Sequence, residues 1–248
     1  MKAFFKYLWI QLKMDLRDKG TLLVFYLVPL IFFFVMGAVF SSINPLMKTT
    51  LAASMTIFSV TMGAVMGCPS PIVKMRESGT LRAFKVNGIP DWAVLSVQAI
   101  SAFLHLFLVS VIIYVVSPLA FHSAIPRSSA LYFAVLAVFL FASIGIGLLI
   151  GVVARDQSFA TMLSMVIFLP SLLLSGIMFP ATMLPKSLMW LGRVFPATHA
   201  LESFVGLAYQ AKTDMNANLS LGIIAGIGLL MFVLAIWRFN NVRRSEQL

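Results

Sequence analysis

VKMRESGTLRAFKVNGIPDW, residues 73–92, decides how the rest of the chain reads. It is the long polar interruption in the N-terminal half of a sequence that is otherwise mostly hydrocarbon. Lys74, Arg76, Arg82 and Lys85 fall here together with Glu77 and Asp91. Apolar runs of bilayer-crossing length flank it on both sides, so it sits at a membrane surface or in water. Its cation excess predicts a cytoplasmic position, because short cytoplasmic loops carry the Lys/Arg surplus.

Composition agrees. Of 248 residues, 60% are hydrophobic and 10% charged, whereas soluble domains carry nearer one quarter charged. The reading is an integral membrane protein, all-α and polytopic, forming a single transmembrane domain over residues 1–248 with almost nothing left for a soluble one. A net charge of +10 in a soluble protein would suggest nucleic acid. Here the cations cluster at span ends, which points to anchoring on anionic lipid and to no nucleic-acid partner. The single cysteine, Cys68, excludes an internal disulfide and a Cys-rich metal site. The sequence has no GxxxxGK[ST] loop, no HExxH and no GxSxG. Its histidines (His105, His122, His199) fall on different predicted elements. No catalytic residue and no metal site are assigned, and no cleavable leader is expected, because residues 2–19 are charged throughout.

Outward from the loop, residues 2–19 predict an amphipathic interfacial helix. Phe5, Leu8, Trp9, Leu12 and Leu16 share a face, with Lys6, Lys13, Arg17 and Asp18 off it. Six spans follow, at about residues 21–40, 50–73, 92–116, 130–153, 158–180 and 219–237. Pro29 is expected to kink the first. The second is rich in Ser, Thr, Gly and Met, which suits the inside of a bundle, and CPSP (residues 68–71) interrupts its loop end. In the third, Gln98, Ser101 and His105 form one polar stripe, which should face protein or a water-filled cavity. The fourth carries a small-residue ridge, Ser143, Gly147 and Gly151, at four-residue spacing. The tight turn ARDQ (residues 154–157) makes spans four and five a hairpin. Thr161, Ser164, Phe168, Ser171 and Ser175 form a narrow seam on the fifth. Residues 180–218 are too proline-broken to span and too apolar for a free loop. They predict two short re-entrant helices, at about 186–194 and 197–211, covered by protein. Thirteen of the eighteen Lys/Arg fall on the side of both termini, which predicts six spans with both ends cytoplasmic.

MRESGTLRAFKVNGIP, residues 75–90, resembles the R-E-x-G-T-L signature in the first cytoplasmic loop of ABC-2 type permeases. These are the membrane subunits of type-2 ATP-binding cassette exporters. LSGIMFPATMLPKSLMWLGRVFPATHALESF, residues 174–204, resembles their fifth-span exit and re-entrant region. The likeness covers essentially the whole chain. It implies a separate ATPase subunit in two copies, with ATP and Mg on that partner and no cofactor on this chain. It also implies a second permease, the same or a sibling chain, and residence in the plasma or inner membrane. The segment around Glu77–Thr80 (residues 73–91) would be the cytoplasmic coupling helix, with Arg76, Glu77, Gly79, Thr80 and Arg82 facing the ATPase. Arg76 and Glu77 suit directional ion pairs, Gly79 a close backbone approach, and Thr80 a helix cap. Glu202 resembles the acid of the family's P-x-T-x-x-x-E region and is a candidate external gate. An equal reading is that it holds Arg193 or His199.

The candidate substrate path is Gln98 and His105 with Thr161, Ser164, Phe168 and Ser171. The plainer reading of the same residues is hydrogen bonding between helices and ordinary packing. The expected function is a permease subunit that exports an amphipathic, drug-like or lipid-linked substrate by alternating access. The short first external loop favours the compact drug- or polysaccharide-export type. Two rivals remain at this point. One is an ion-coupled secondary transporter with His105 as proton carrier. The other is a membrane assembly or immunity factor that transports nothing.

Overall fold

In the computed structural model, residues 2–43, 48–178 and 183–245 are described. The middle of the connection between the first two spans (44–47), the end of the fifth-span exit (179–182) and the last three residues lie outside them. Among the described residues the fold is all helix, with no strand. Six helices are long and apolar enough to cross a bilayer: Lys19–Phe40, Leu51–Glu77, Trp92–Phe121, Ser129–Val153, Gln157–Leu174 and Ala217–Asn241. They are spans one to six below. A separate N-terminal helix, Lys2–Asp15, precedes them.

Span two is the axis of the bundle. Every residue from Leu51 to Met62 is buried, and spans one, three, four and five all pack on this helix. Its Ala, Ser, Thr and Gly side chains make that possible, because small residues let neighbouring backbones approach on every side. The ridge of span four lies against it. A Cβ added to Gly147 would stand 2.0 Å from the carbonyl oxygen of Ala64, and one added to Gly151 would stand 3.0 Å from the Pro69 backbone.

The prolines sit inside helices here without ending them. Pro29 lacks the N–H that would bond back one turn, and span one relaxes through a π turn at Leu23–Leu27 just before it. In span two the same device occupies Gly63–Gly67, ahead of Pro69 and Pro71. The helix then resumes as Pro69–Glu77. Five residues of the polar stretch, 73–77, are therefore an extension of span two and not loop. The extension stops at Gly79, whose φ of +72° is open to glycine without cost. A short loop helix, Thr80–Val86, follows.

Span three runs to Phe121, beyond the expected end at 116, with Pro118 taken into its last turn. Span five stops at Leu174, before the expected 180. Beyond it, Lys186–Gly192 and Pro196–Ser203 are helical. The second of these continues as a π turn, Phe204–Ala208.

Candidate functional site

The signature residues are placed by the ends of three helices. The Arg76 guanidinium donates to the carbonyls of Val152 (3.4 Å), Ala154 and Arg155 (3.3 Å). These belong to the C-terminal end of span four, where carbonyls lack helical partners and the helix dipole favours a cation. Glu77 Oε1 accepts from the backbone N–H of Gln157 at 3.3 Å. That is the first residue of span five, where amides lack partners and the dipole favours an anion. Adjacent residues of opposite charge thus clasp the two opposite ends that meet at the 154–156 turn. The turn is tight because Asp156 caps span five, accepting from the Phe159 N–H at 2.8 Å. Gly79 looks onto open space, the Ser78 and Thr80 hydroxyls bond at 2.7 Å, and Arg82 is exposed.

The N-terminal helix joins this clasp into one platform. Phe4 stacks on Trp92 at 6.0 Å and Tyr7 packs edge-on against Phe84 of the loop helix at 5.3 Å. Burial pushes the Tyr7 phenol up to about 12. Farther along, Asp15 accepts from Gln11 Nε2 at 2.8 Å and from the Ser101 hydroxyl at 2.5 Å, and lies 3.8 Å from His105 Nε2. Tyr26 of span one meets His105 Nδ1 at 2.6 Å. The polar stripe of span three therefore faces protein, as its membrane depth requires. Gln98 is buried beside it.

Asp15, Gln11 and Tyr26 were not among the residues singled out from sequence. A signal existed: Phe4, Tyr7, Gln11 and Asp15 fall at i, i+3, i+7 and i+11 and share a face. The more apolar neighbouring stripe is turned outward, with Phe5 64% and Trp9 69% exposed.

The seam of span five packs on span two. Ser164 Oγ donates to the Val65 carbonyl at 2.6 Å. That carbonyl is the one Pro69, four residues on, cannot satisfy, because proline has no N–H. Phe168 meets Phe58 at 6.0 Å and Ser171 is buried. Thr161, at the platform end, bonds back to the Gln157 carbonyl at 2.9 Å. Below the seam lies a cavity of about 250 Å³ between spans one, two and five, lined by Asp18, Thr21, Lys74, Thr161 and Ser164 among others. Asp18 accepts from the Thr21 side chain and backbone, which holds its carboxyl below the usual range. A second hollow of about 10 Å³ adjoins it, sharing Phe25 and Pro71 and bordered by Gln98 and His105. The candidate path residues thus divide. Thr161 and Ser164 border the larger cavity, Gln98 and His105 the smaller, and Phe168 and Ser171 are packed away from both.

Between spans five and six, Glu202 accepts from the Met215 N–H at 3.1 Å. Burial raises its carboxyl above the usual value. His199 contacts the Arg193 carbonyl at 2.8 Å and the Ser220 hydroxyl at 3.5 Å, and burial lowers its imidazole. Arg193 itself lies over the Trp190 ring at 4.3 Å. The two titrations act with opposite sign. A raised carboxyl holds its proton to higher pH in the folded state than in the unfolded one, so its contribution to stability is lost as pH rises through the raised value. A lowered histidine costs stability as pH falls. Glu202→Gln keeps an acceptor for Met215 and cannot ionise. The thermal midpoint of the variant, minus that of the native chain, should grow by about 2 °C or more as pH rises from 4.5 to 8. His199 cancels in that difference. A flat difference would show that the Glu202 carboxyl is not raised by folding.

Among the described residues no group of three or more His, Cys, Asp or Glu could hold a metal ion. A family model described as ABC-2 type transporter matches residues 2–209. An ABC transporter G family member 20 from Dictyostelium discoideum is 34% identical over 80 residues, which is 32% of this chain and 11% of that protein. The chain therefore matches only a small part of that relative's length.

Proposed function

The chain belongs to the ABC-2 type transporter family, and on that premise we propose that it is the membrane subunit of an ATP-driven exporter. The ATPase is a separate chain in two copies, carrying the ATP and Mg. The permease works as a dimer with itself or a sibling. The platform of N-terminal helix, loop helix and 154–156 turn is the docking face, and it lies in the cytoplasm with both termini. The cargo is amphipathic, drug-like or lipid-linked. It enters through the cavity between spans one, two and five and leaves past the Glu202 segment.

One observation carries this reading. Arg76 and Glu77 tie the extension of span two, Pro69–Glu77, to the meeting ends of spans four and five, and that extension is continuous with the buried axis of the bundle and abuts the loop helix across Gly79. A push on the loop helix reaches three spans through charge-assisted hydrogen bonds rather than through a free loop. Arg82, the exposed Lys6 and Lys13 of the N-terminal helix and Arg17 just past its end are left for the partner.

Copurification and ATP turnover with a candidate ATPase, reconstituted in lipid, test this. Arg82→Glu alters an exposed side chain and should cut ATPase recovery about tenfold or more, which is about 1.4 kcal/mol. Glu77→Ala breaks the clasp and should keep binding but lose cargo-dependent turnover. If both variants behave as the native chain, the platform does not couple, and the non-transporting assembly factor becomes the better reading.

A further inference from the structure

Spans four and six cross closely and span three does not follow them. Gly145 and Gly228 lie at the crossing, where an added Cβ would meet Phe232 at 2.9 Å and Phe141 at 2.7 Å. The Phe141 and Phe232 rings stack there at 4.4 Å. Span three, carrying the small residues Ser96 and Ala99 on that side, leaves an open groove of about 310 Å³ between the three helices. Its walls are apolar apart from the Ser96 hydroxyl and the Trp92 indole N–H.

The groove has the length of half a bilayer. Its span-three wall runs from Trp92 to Phe103, eleven helical rises, or about 16 Å. The hydrocarbon core is about 30 Å thick. The mouth is at the platform end, where Trp92 and Trp237 are 59% and 60% exposed, as interfacial indoles are. A cation stands at that depth. Arg238 is exposed two residues past Ile236 of the groove wall, about 3 Å along the axis.

We propose that this groove holds one acyl chain of an anionic phospholipid from the leaflet on the platform side, with its phosphate at Arg238. An alkyl chain matches the apolar walls and the one-leaflet length. The guanidinium at the mouth selects the headgroup. The lipid fills the gap between span three and the four–six pair, so the site is separate from the cavity between spans one, two and five. The inference does not depend on the ATPase.

Native mass spectrometry of the detergent-purified chain, given phosphatidylglycerol or phosphatidylcholine of identical acyl chains, tests it. One phosphatidylglycerol should remain bound with at least fivefold preference over phosphatidylcholine. Ala99→Phe should fill the groove and remove the adduct of either lipid. Arg238→Gln should erase the preference while leaving phosphatidylcholine binding unchanged. If Ala99→Phe does not fold, the Arg238 variant decides alone. Equal retention of the two lipids, an adduct that survives Ala99→Phe, or a dimer whose formation excludes lipid from the groove would each overturn the proposal.

Discussion

Gly147→Leu should abolish recovery of folded chain, and Gly147→Ala should lower its stability by about 3 kcal/mol, at the upper end of the usual cost of overpacking. The reason is what stands opposite. The added carbon would lie 2.0 Å from Ala64 O and 2.9 Å from Cys68 Cβ. The first is backbone, and it belongs to the π turn of span two, Gly63–Gly67, the element around which the other spans pack. A flexible side chain could swing away; this carbonyl can move only with the helix. For a chain of this size the alanine variant should lose about 6–12 °C of thermal midpoint, read by size-exclusion recovery after heating in detergent. Gly226→Leu is the matched control. It lies on span six with nothing within 4 Å of an added Cβ, and it should change stability by about 0.5 kcal/mol or less. If the two glycines tolerate leucine equally, span four is not seated on span two through this ridge.

The ridge was legible in the sequence because its evidence is periodic: Ser143, Gly147 and Gly151 recur every four residues on one helix. The spans and the two short helices after span five were legible for the same reason, from runs of hydropathy bounded by charge and proline. Span ends were less so. Pro118 and Pro69 look like stops, yet a long apolar helix absorbs a proline when a π turn or a neighbouring hydroxyl takes up the orphaned carbonyl, as Ser164 does for Val65. The Arg76–Glu77 clasp was not legible at all. Its partners lie 76 to 80 residues away, and they are backbone groups, whose availability depends on where helices end in space. Charge in a loop suggests an external partner by default; here two of the charges are spent inside the chain.

The N-terminal helix shows the opposite failure, an ambiguous face rather than a distant partner. Two stripes compete on it. Phe5, Trp9 and Leu16 are the more apolar, and in a soluble protein they would turn inward. In a membrane protein the surroundings are themselves apolar, so the stripe that packs on the bundle is the one with hydrogen bonds to make. Asp15 makes them, and Asp15→Ala is the decisive substitution. It removes the acceptor from the Ser101 hydroxyl and the Gln11 amide, and it takes the carboxylate away from His105. Ser101 is 1% exposed, so its hydroxyl is left buried without that partner, at about 1–3 kcal/mol, while His105 keeps Tyr26. Asp15→Asn keeps one acceptor oxygen and should fall between. The loss should be local. Hydrogen exchange in lipid nanodiscs should show amides of residues 2–15 exchanging at least tenfold faster in Asp15→Ala, while those of Leu51–Met62 stay protected. If the helix stays protected, its hold comes from the Phe4–Trp92 and Tyr7–Phe84 ring contacts instead. The polar network would then serve only to satisfy span three. If it is released, Asp15 is what fixes the N-terminal helix against span three, and a force on the platform passes into the membrane through that carboxylate as well as through the Arg76–Glu77 clasp.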